Sequence, residues 1–316
     1  MIKKRFISML VLLAAVVTGA MAQTTYKVSV KEGTEDATSW TIAPPEATTT
    51  GVAQGTQVTA SYGGVKKVKS VKAVKKAPAI PLDNTTTTWS AGTFAVPAGG
   101  LTYSDAITVS GNVTLVLTDG ETLTLNKGIS LASGATLTIQ GNGAMVVNGT
   151  NNSTASTVAG STGTLILTSG TLTATGGNGA GVGNNTENKD NRANAGGNAI
   201  NGNVTISGGT LTAKGGNGGG VGKHSNNSFG AVGGVAISGS VTVTGGTVTA
   251  TGGNGGGIGS FSDTSYGGSG GAAIGGDATV NGGTWTASNG TPGENPYGQD
   301  SAGGKAVAGT VTDNRS

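Results

Sequence analysis

GGTLTAKGGNGGGVG, Gly208 to Gly222, returns almost unchanged as GGTVTATGGNGGGIG, Gly245 to Gly259. A third copy, SGTLTATGGNGAGVG, starts at Ser169, and a shortened one, GGTWTASNG, starts at Gly282. The starts lie 39, 37 and 37 residues apart. Close copies at a fixed period of this size mark a stacked, solenoid-type fold in which each repeat rests on its neighbours. Alternation within the TLTA-type strands points Leu172, Leu211, Val248 and Trp285 inward as a ladder and their flanking threonines outward.

The same frame extends towards the N-terminus. ITV (107–109), VTLVL (113–117), TLTL (122–125), ISL (129–131), TLTI (136–139) and AMVV (144–147) are divided by Gly, Asn or Asp-Gly. If three strands make one coil, ITV returns as ISL after 22 residues and VTLVL as TLTI after about 23. Such steps fit a three-faced, right-handed parallel β-helix. Each 37-residue repeat then holds a VTI-type strand, a TLTA-type strand, a GVG or GIG segment, a variable loop of 10 to 12 residues, and GGxAI. Removing the loop leaves one coil of about 25 residues. The loops 184–195, 223–232 and 260–269 are expected to leave one corner on successive coils and form a wall. About eight rungs at a strand spacing of ~4.8 Å make a rod of roughly 38 Å. The recurring glycines read as turn chemistry. Asn178, Asn217 and Asn254 read as a hydrogen-bonded ladder whose residues tolerate left-handed backbone.

Residues 1–22 read as an export signal: a basic start at Lys3–Arg5, an apolar run from Phe6 to Val17, and Ala20-Met21-Ala22 as the cleavage site. No later stretch is long and apolar enough for a membrane helix, so no integral membrane segment is expected after cleavage. Residues 23–80 read as a small separate β-domain, 81–100 as linker and cap, and 101–316 as the solenoid. The stretch 66–76 carries six lysines and reads as an edge strand protected from further pairing.

Charge narrows the partners. The 18 basic residues include three in the signal, which leaves 15 against 15 acids. A neutral exported chain is a poor nucleic-acid binder. There is no cysteine, so neither disulfides nor thiolate metal sites arise.

Acids and bases form no recurring catalytic set. Asp119 and Glu121 share a turn, and Glu187 and Asp190 share a loop with Lys189 and Arg192, as solvated charges do. His224 is the only histidine, so a Ser/His/Asp triad and a multi-histidine metal site have no basis. The glycine runs lack the P-loop pattern and the calcium-binding nonapeptide. The outward T-x-T array admits ice binding as a remote reading, although threonine is simply a good outward strand residue.

Aromatics in the loops are the stronger lead: Phe229, then Phe261 and Tyr266, then Tyr297. Their rings suit the C–H face of a sugar, and Asn226, Asn227, Ser262 and Asp263 suit its hydroxyls. The competing role of these rings is packing over the loop base.

GNVTL (111–115), ISLASGATLTI (129–139), the GGTLTATGG-type strands, GVG/GIG and GGxAI together resemble Gly-rich repeat regions of secreted proteins from gut anaerobes. They are also similar to the carbohydrate-binding β-helix family related in fold to pectate lyases. The resemblance covers roughly 101 to 310 and implies polysaccharide binding without cleavage, with calcium in some members. That family's calcium-binding acids do not map onto this chain, so no cofactor is expected. Residues 26–76 resemble small Ig-like accessory modules found ahead of such repeats. The sequence thus predicts an all-β chain, an Ig-like domain followed by a parallel β-helix. Its expected role is non-catalytic binding of a polysaccharide or surface glycan at Phe229, Asn226, Asn227, Phe261, Asp263, Tyr266 and Tyr297, outside the cell, at its surface or in the periplasm. The alternatives are a structural or adhesive repeat protein without glycan affinity and a polysaccharide lyase or hydrolase.

Overall fold

The computed structural model describes residues 79–152, 157–159, 163–183, 191–222, 227–259, 265–295 and 303–315, together with backbone strands before residue 73. The chain divides into two units, Met1–Ala77 and Pro78–Ser316. In the first, every pairing is antiparallel: Leu10–Val11, Val30–Glu32 and Glu35–Asp36 form one sheet, Ala14–Val16, Thr25–Lys27 and Val52–Ala53 another. A further sheet holds Trp40–Ala43, Gln57–Tyr62, Lys66–Lys67 and Val71–Lys72, with the last strand at its edge.

The second unit is a parallel β-helix. Sheet A has nine strands: Ile80–Pro81, Gly92–Ala95, Asn112–Leu117, Thr136–Gly141, Thr164–Leu167, Asn203–Ile206, Val241–Val243, Ala278–Val280 and Val311–Asp313. Sheet B has seven: Leu101–Tyr103, Thr122–Leu125, Ala144–Asn148, Thr171–Thr175, Thr210–Lys214, Thr247–Thr251 and Thr284–Ser288. Sheet C has four, Thr88–Trp89, Ile107–Val109, Ile129–Leu131 and Val158–Ala159, and continues as single bridges at Ile200, Ile237, Ile274 and Val307. All pairings in this unit are parallel, and Pro81 pairs only at the outer edge of sheet A, where its missing N–H is harmless.

Register follows the alternation of the sequence. Leu172, Leu211, Val248 and Trp285 are in one row, and Ile107 pairs Ile129 at the expected step. The three rows of aliphatic side chains from the three sheets meet in one core. Burying each Leu, Ile or Val contributes about 1.5–3 kcal/mol relative to exposure. Trp285, in the last strand of sheet B, is only half-buried but packs on that core.

At the other end the core closes on aromatics. Trp89 lies 6.2 Å from Phe94, nearly parallel, and 6.0 Å from Tyr103, edge-on. The indole Nε1 and the Tyr103 hydroxyl are both buried and have no well-aligned hydrogen bond among the described residues, and burial pushes the Tyr103 pKa up against a weak interaction with Trp89. The expected linker and cap, 81–100, thus supplies strands to sheets A and C.

Asp83 shapes the lead-in. Its Oδ1 accepts the N–H of Thr85 at 2.9 Å, the N–H of Thr86 at 2.8 Å and the Thr85 hydroxyl at 2.8 Å. The Thr85 hydroxyl and these amides favour the carboxylate and lower its pKa from 3.8 to about 2. A folded pKa below the unfolded one means stabilisation that is complete above 3.8 and lost as pH falls through about 2. A carbon-detected carboxyl titration of Asp83 should show a midpoint near 2, and a midpoint at 3.8 would contradict the cap.

The repeats depart from the sequence reading at one corner. In the plain coils Leu125, on sheet B, precedes Ile129, on sheet C, by four residues. Ala213, in the row of Leu125, precedes Ile237, in the row of Ile129, by 24. The inserted chain begins at the GGN triplet and ends at GGxAI, so it is about twice the expected loop. GVG is not a strand of the coil: Val182, Val221 and Ile258 form a separate ladder at the outer end of the insertion. The third strand of the coil is instead the Ala-Ile of GGxAI.

The insertion is a pair of arms, one outgoing and one returning, stacked on the arms of the next coil. On the outgoing arm the N–H groups of Gly215, Gly218 and Val221 donate along the rod to Thr251, Asn254 and Gly257 at 2.8–2.9 Å. On the returning arm Gly230, Gly233 and Ala236 donate to Tyr266, Ser269 and Ala272 at 2.9–3.1 Å. Residues offset by one position cross between arms: Gly216 donates to Gly197, Gly234 to Gly216 and Gly253 to Gly234 at 2.7–2.9 Å. A donor direction that recurs every three residues is the geometry of polyproline-II-type chains, which have no internal hydrogen bonds and must satisfy their amides on neighbours.

This changes why the glycines are there. In the repeats Gly170, Gly209, Gly246 and Gly283, at the turn from sheet A to sheet B, are left-handed, with φ between 72° and 82°. The arm glycines keep negative or extended φ; their need is space. A Cβ on Gly216 would lie 2.0 Å from the Gly177 carbonyl oxygen, and one on Gly256 would lie 1.8 Å from that of Gly219. The Asn ladder also departs from expectation. It bonds along the rod, but no member has positive φ.

Candidate functional site

The wall of arms carries Asn227, Phe229 and Tyr266, three of the groups expected to bind. Asn191–Arg192 pairs in parallel with Ser228–Phe229, and Phe229 bridges Tyr266. The side chains of Arg192, Phe229 and Tyr266 therefore stand in one column at the rung spacing. The Phe229 and Tyr266 rings are 6.1 Å apart and 15° from parallel. Arg192 Cζ lies 4.1 Å from the Phe229 centroid, a cation–π contact that adds about 0.5–1 kcal/mol at an exposed site. Phe229 thus has one face on Arg192 and the other on Tyr266. Tyr266, 40% exposed, carries the open end of the column.

The base of the column is polar and buried. Ser228 and Ser265 are fully buried, with the Ser228 N–H 3.3 Å from Ser265 Oγ. Asn295 is buried beside them and donates from Nδ2 to the Ser265 carbonyl at 2.7 Å. This base holds the aromatic rows in register. The reading of the sequence missed it, although Ser-Phe at 228–229 and Ser-Tyr at 265–266 recur 37 residues apart.

Of the predicted site residues, the structure brings Phe229 and Tyr266 into contact and places Asn227 half-buried two residues before Phe229. Asn226, Phe261, Asp263 and Tyr297 lie outside the described residues, as do Ser262, His224, Glu187 and Asp190. Phe229 packs between Arg192 and Tyr266, and Tyr266 keeps an exposed surface.

Three of the described acids are engaged locally. Asp105 pairs with Lys127 at 3.1 Å on the surface, and such a pair contributes ~0–1 kcal/mol. Asp313 pairs with Arg315 at 2.6 Å, and Asp277 Oδ1 accepts the Thr310 N–H at 2.8 Å. Among the described residues no group of three or more His, Cys, Asp or Glu comes together as a metal site. Comparison with protein-family models, curated proteins and solved structures finds no match.

A second lined concavity runs where sheet B meets the outgoing arms, bordered by Asn148, Asn151, Thr175, Asn178, Lys214 and Asn217. Residues with hydroxyl, amide and ammonium side chains line it. None of these residues was singled out as a ligand group, because in sequence they read only as strand ends and ladder.

Proposed function

We propose that this chain is an exported, non-catalytic glycan-binding protein in which the β-helix is the scaffold and the stacked arms carry the binding groups. The observation that supports the reading is the Arg192–Phe229–Tyr266 column, with an exposed ring at its end. A flat ring can cover the C–H face of a sugar, and the arms set successive rows ~4.8 Å apart along an edge suited to an extended chain.

A glycan array tests the proposal with the wild-type protein and the Phe229→Ala/Phe261→Ala/Tyr266→Ala variant. The expected result is selective binding that weakens at least tenfold in the variant, which corresponds to about 1.4 kcal/mol. Equal binding by the variant would contradict the site. No glycan bound by wild type would contradict the function and favour a spacer or adhesive role, for which the in-register stack of arms is equally suited.

A further inference from the structure

We propose a second binding site in the groove between sheet B and the outgoing arms, which takes a sulfate or phosphate ester carried on a sugar. The groove has a volume of about 310 Å³, at the lower end of small-molecule sites. Among the described residues no acidic side chain lines it.

The backbone fixes which way two of its amides face. Asn178 Oδ1 accepts the Asn217 N–H at 2.9 Å, and Asn217 Oδ1 accepts the Asn254 N–H at 3.0 Å. A backbone N–H can bond only the oxygen of a side-chain amide, so each Nδ2 is turned away from the ladder. Neither Nδ2 donates a hydrogen bond among the described residues, and Lys214 Nζ has no carboxylate partner there. The ladder thus leaves unused donors along the groove, one per rung.

Lys214 gives the donors a charge. Its row in sheet B reads Asn148, Thr175, Lys214, Thr251 and Ser288, so one cation stands in an otherwise neutral row. It ends the strand three residues before Asn217. Two amides on adjacent rungs, ~4.8 Å apart, and one ammonium suit a single anionic substituent rather than a polyanion. A tetrahedral ester offers three terminal oxygens in different directions and reaches donors on two rungs. A carboxylate offers two oxygens in one plane. Hydrogen bonds to such ionised oxygens are about twice as strong as neutral ones.

Nitrogen–proton NMR of the side-chain amides in the full chain reads this site directly and is blind to the lysines at 66–76. Galactose monosulfate, galactose monophosphate, galacturonate and galactose are titrated separately. The expected result is a saturable shift of the Asn178 and Asn217 amide signals with the sulfate or the phosphate ester and none with galactose. Lys214→Ala should weaken the response at least fivefold. Asn217→Asp should weaken it at least tenfold while keeping the melting temperature, because the carboxylate still accepts the Asn254 N–H. If Asn217→Asp proves unstable, the exposed Lys214→Ala decides alone. No movement with either ester, movement with galacturonate alone, or wild-type affinity in Lys214→Ala would overturn the proposal. The site stands apart from the aromatic column. Ester binding that persists in the Phe229→Ala/Phe261→Ala/Tyr266→Ala variant would leave this groove standing whether or not the aromatic column binds, and array binding lost in that variant with no response to either ester would support the column and overturn this groove.

Discussion

Gly253→Ala is expected to lower the unfolding free energy by about 3 kcal/mol, near the top of the range for overpacking. The added Cβ would lie 1.9 Å from the Gly216 carbonyl oxygen and 2.5 Å from its carbon. Neither atom can yield. That oxygen accepts the Gly234 N–H at 2.7 Å, and Gly253 is itself held by bonds to Gly234 and from Gly271 at 2.8 Å. The methyl must therefore push neighbouring arms apart and break bonds on both sides. Gly183→Ala is the control: among the described residues nothing lies within 4 Å of its Cβ, and its φ is not left-handed. There, alanine only restricts the unfolded chain and is expected to be neutral or stabilising by up to ~1 kcal/mol. Urea unfolding of both variants checks the pair. Equal stability of Gly253→Ala and wild type would mean that the arms are not in backbone contact.

Leu211→Ala is expected to cost about 3 kcal/mol, within the 2–5 kcal/mol found for buried leucines. Leu211 has no exposed surface and lies between Leu172 and Val248 in its row. A rung cannot collapse into the gap without breaking its ladder on both sides, so the cavity stays. Thr212→Ala, one residue along and facing outward, should change stability by less than about 0.5 kcal/mol. Because strand side chains alternate, a register slipped by one residue would exchange the two effects. Urea midpoints that rank Thr212→Ala as the more damaging would refute the register.

The β-helix was legible because its signal is periodic at two scales. TLTL, TLTA and TVTA show which residues face the core, and the 22- and 37-residue steps show which strands stack. The arms were less legible. A glycine needed for φ and a glycine needed for space look alike in sequence, and only neighbours in three dimensions distinguish Gly246 from Gly253. GVG stood in the repeat as a recurring segment, and Val182, Val221 and Ile258 form a ladder there, but outside the core. The column at Phe229 and Tyr266 was half legible: the rings were found by type, while their mutual stacking and the Arg192 contact needed the arm register. The groove at Lys214 had no sequence signal of its own, since its amide donors are defined by where the ladder points their oxygens.

The central claim is that the repeats add a hydrogen-bonded layer of arms to the β-helix, a rigid wall on which binding groups are held. Amide hydrogen exchange measures this directly, because an amide bonded in a cooperative unit exchanges only when that unit opens. Amides of 215–219, 221, 252–256 and 258 are expected to exchange as slowly as those of the sheet B strands Thr210–Lys214 and Thr247–Thr251. Exchange of the arm amides at the rate of free peptide, with the strands still protected, would contradict it.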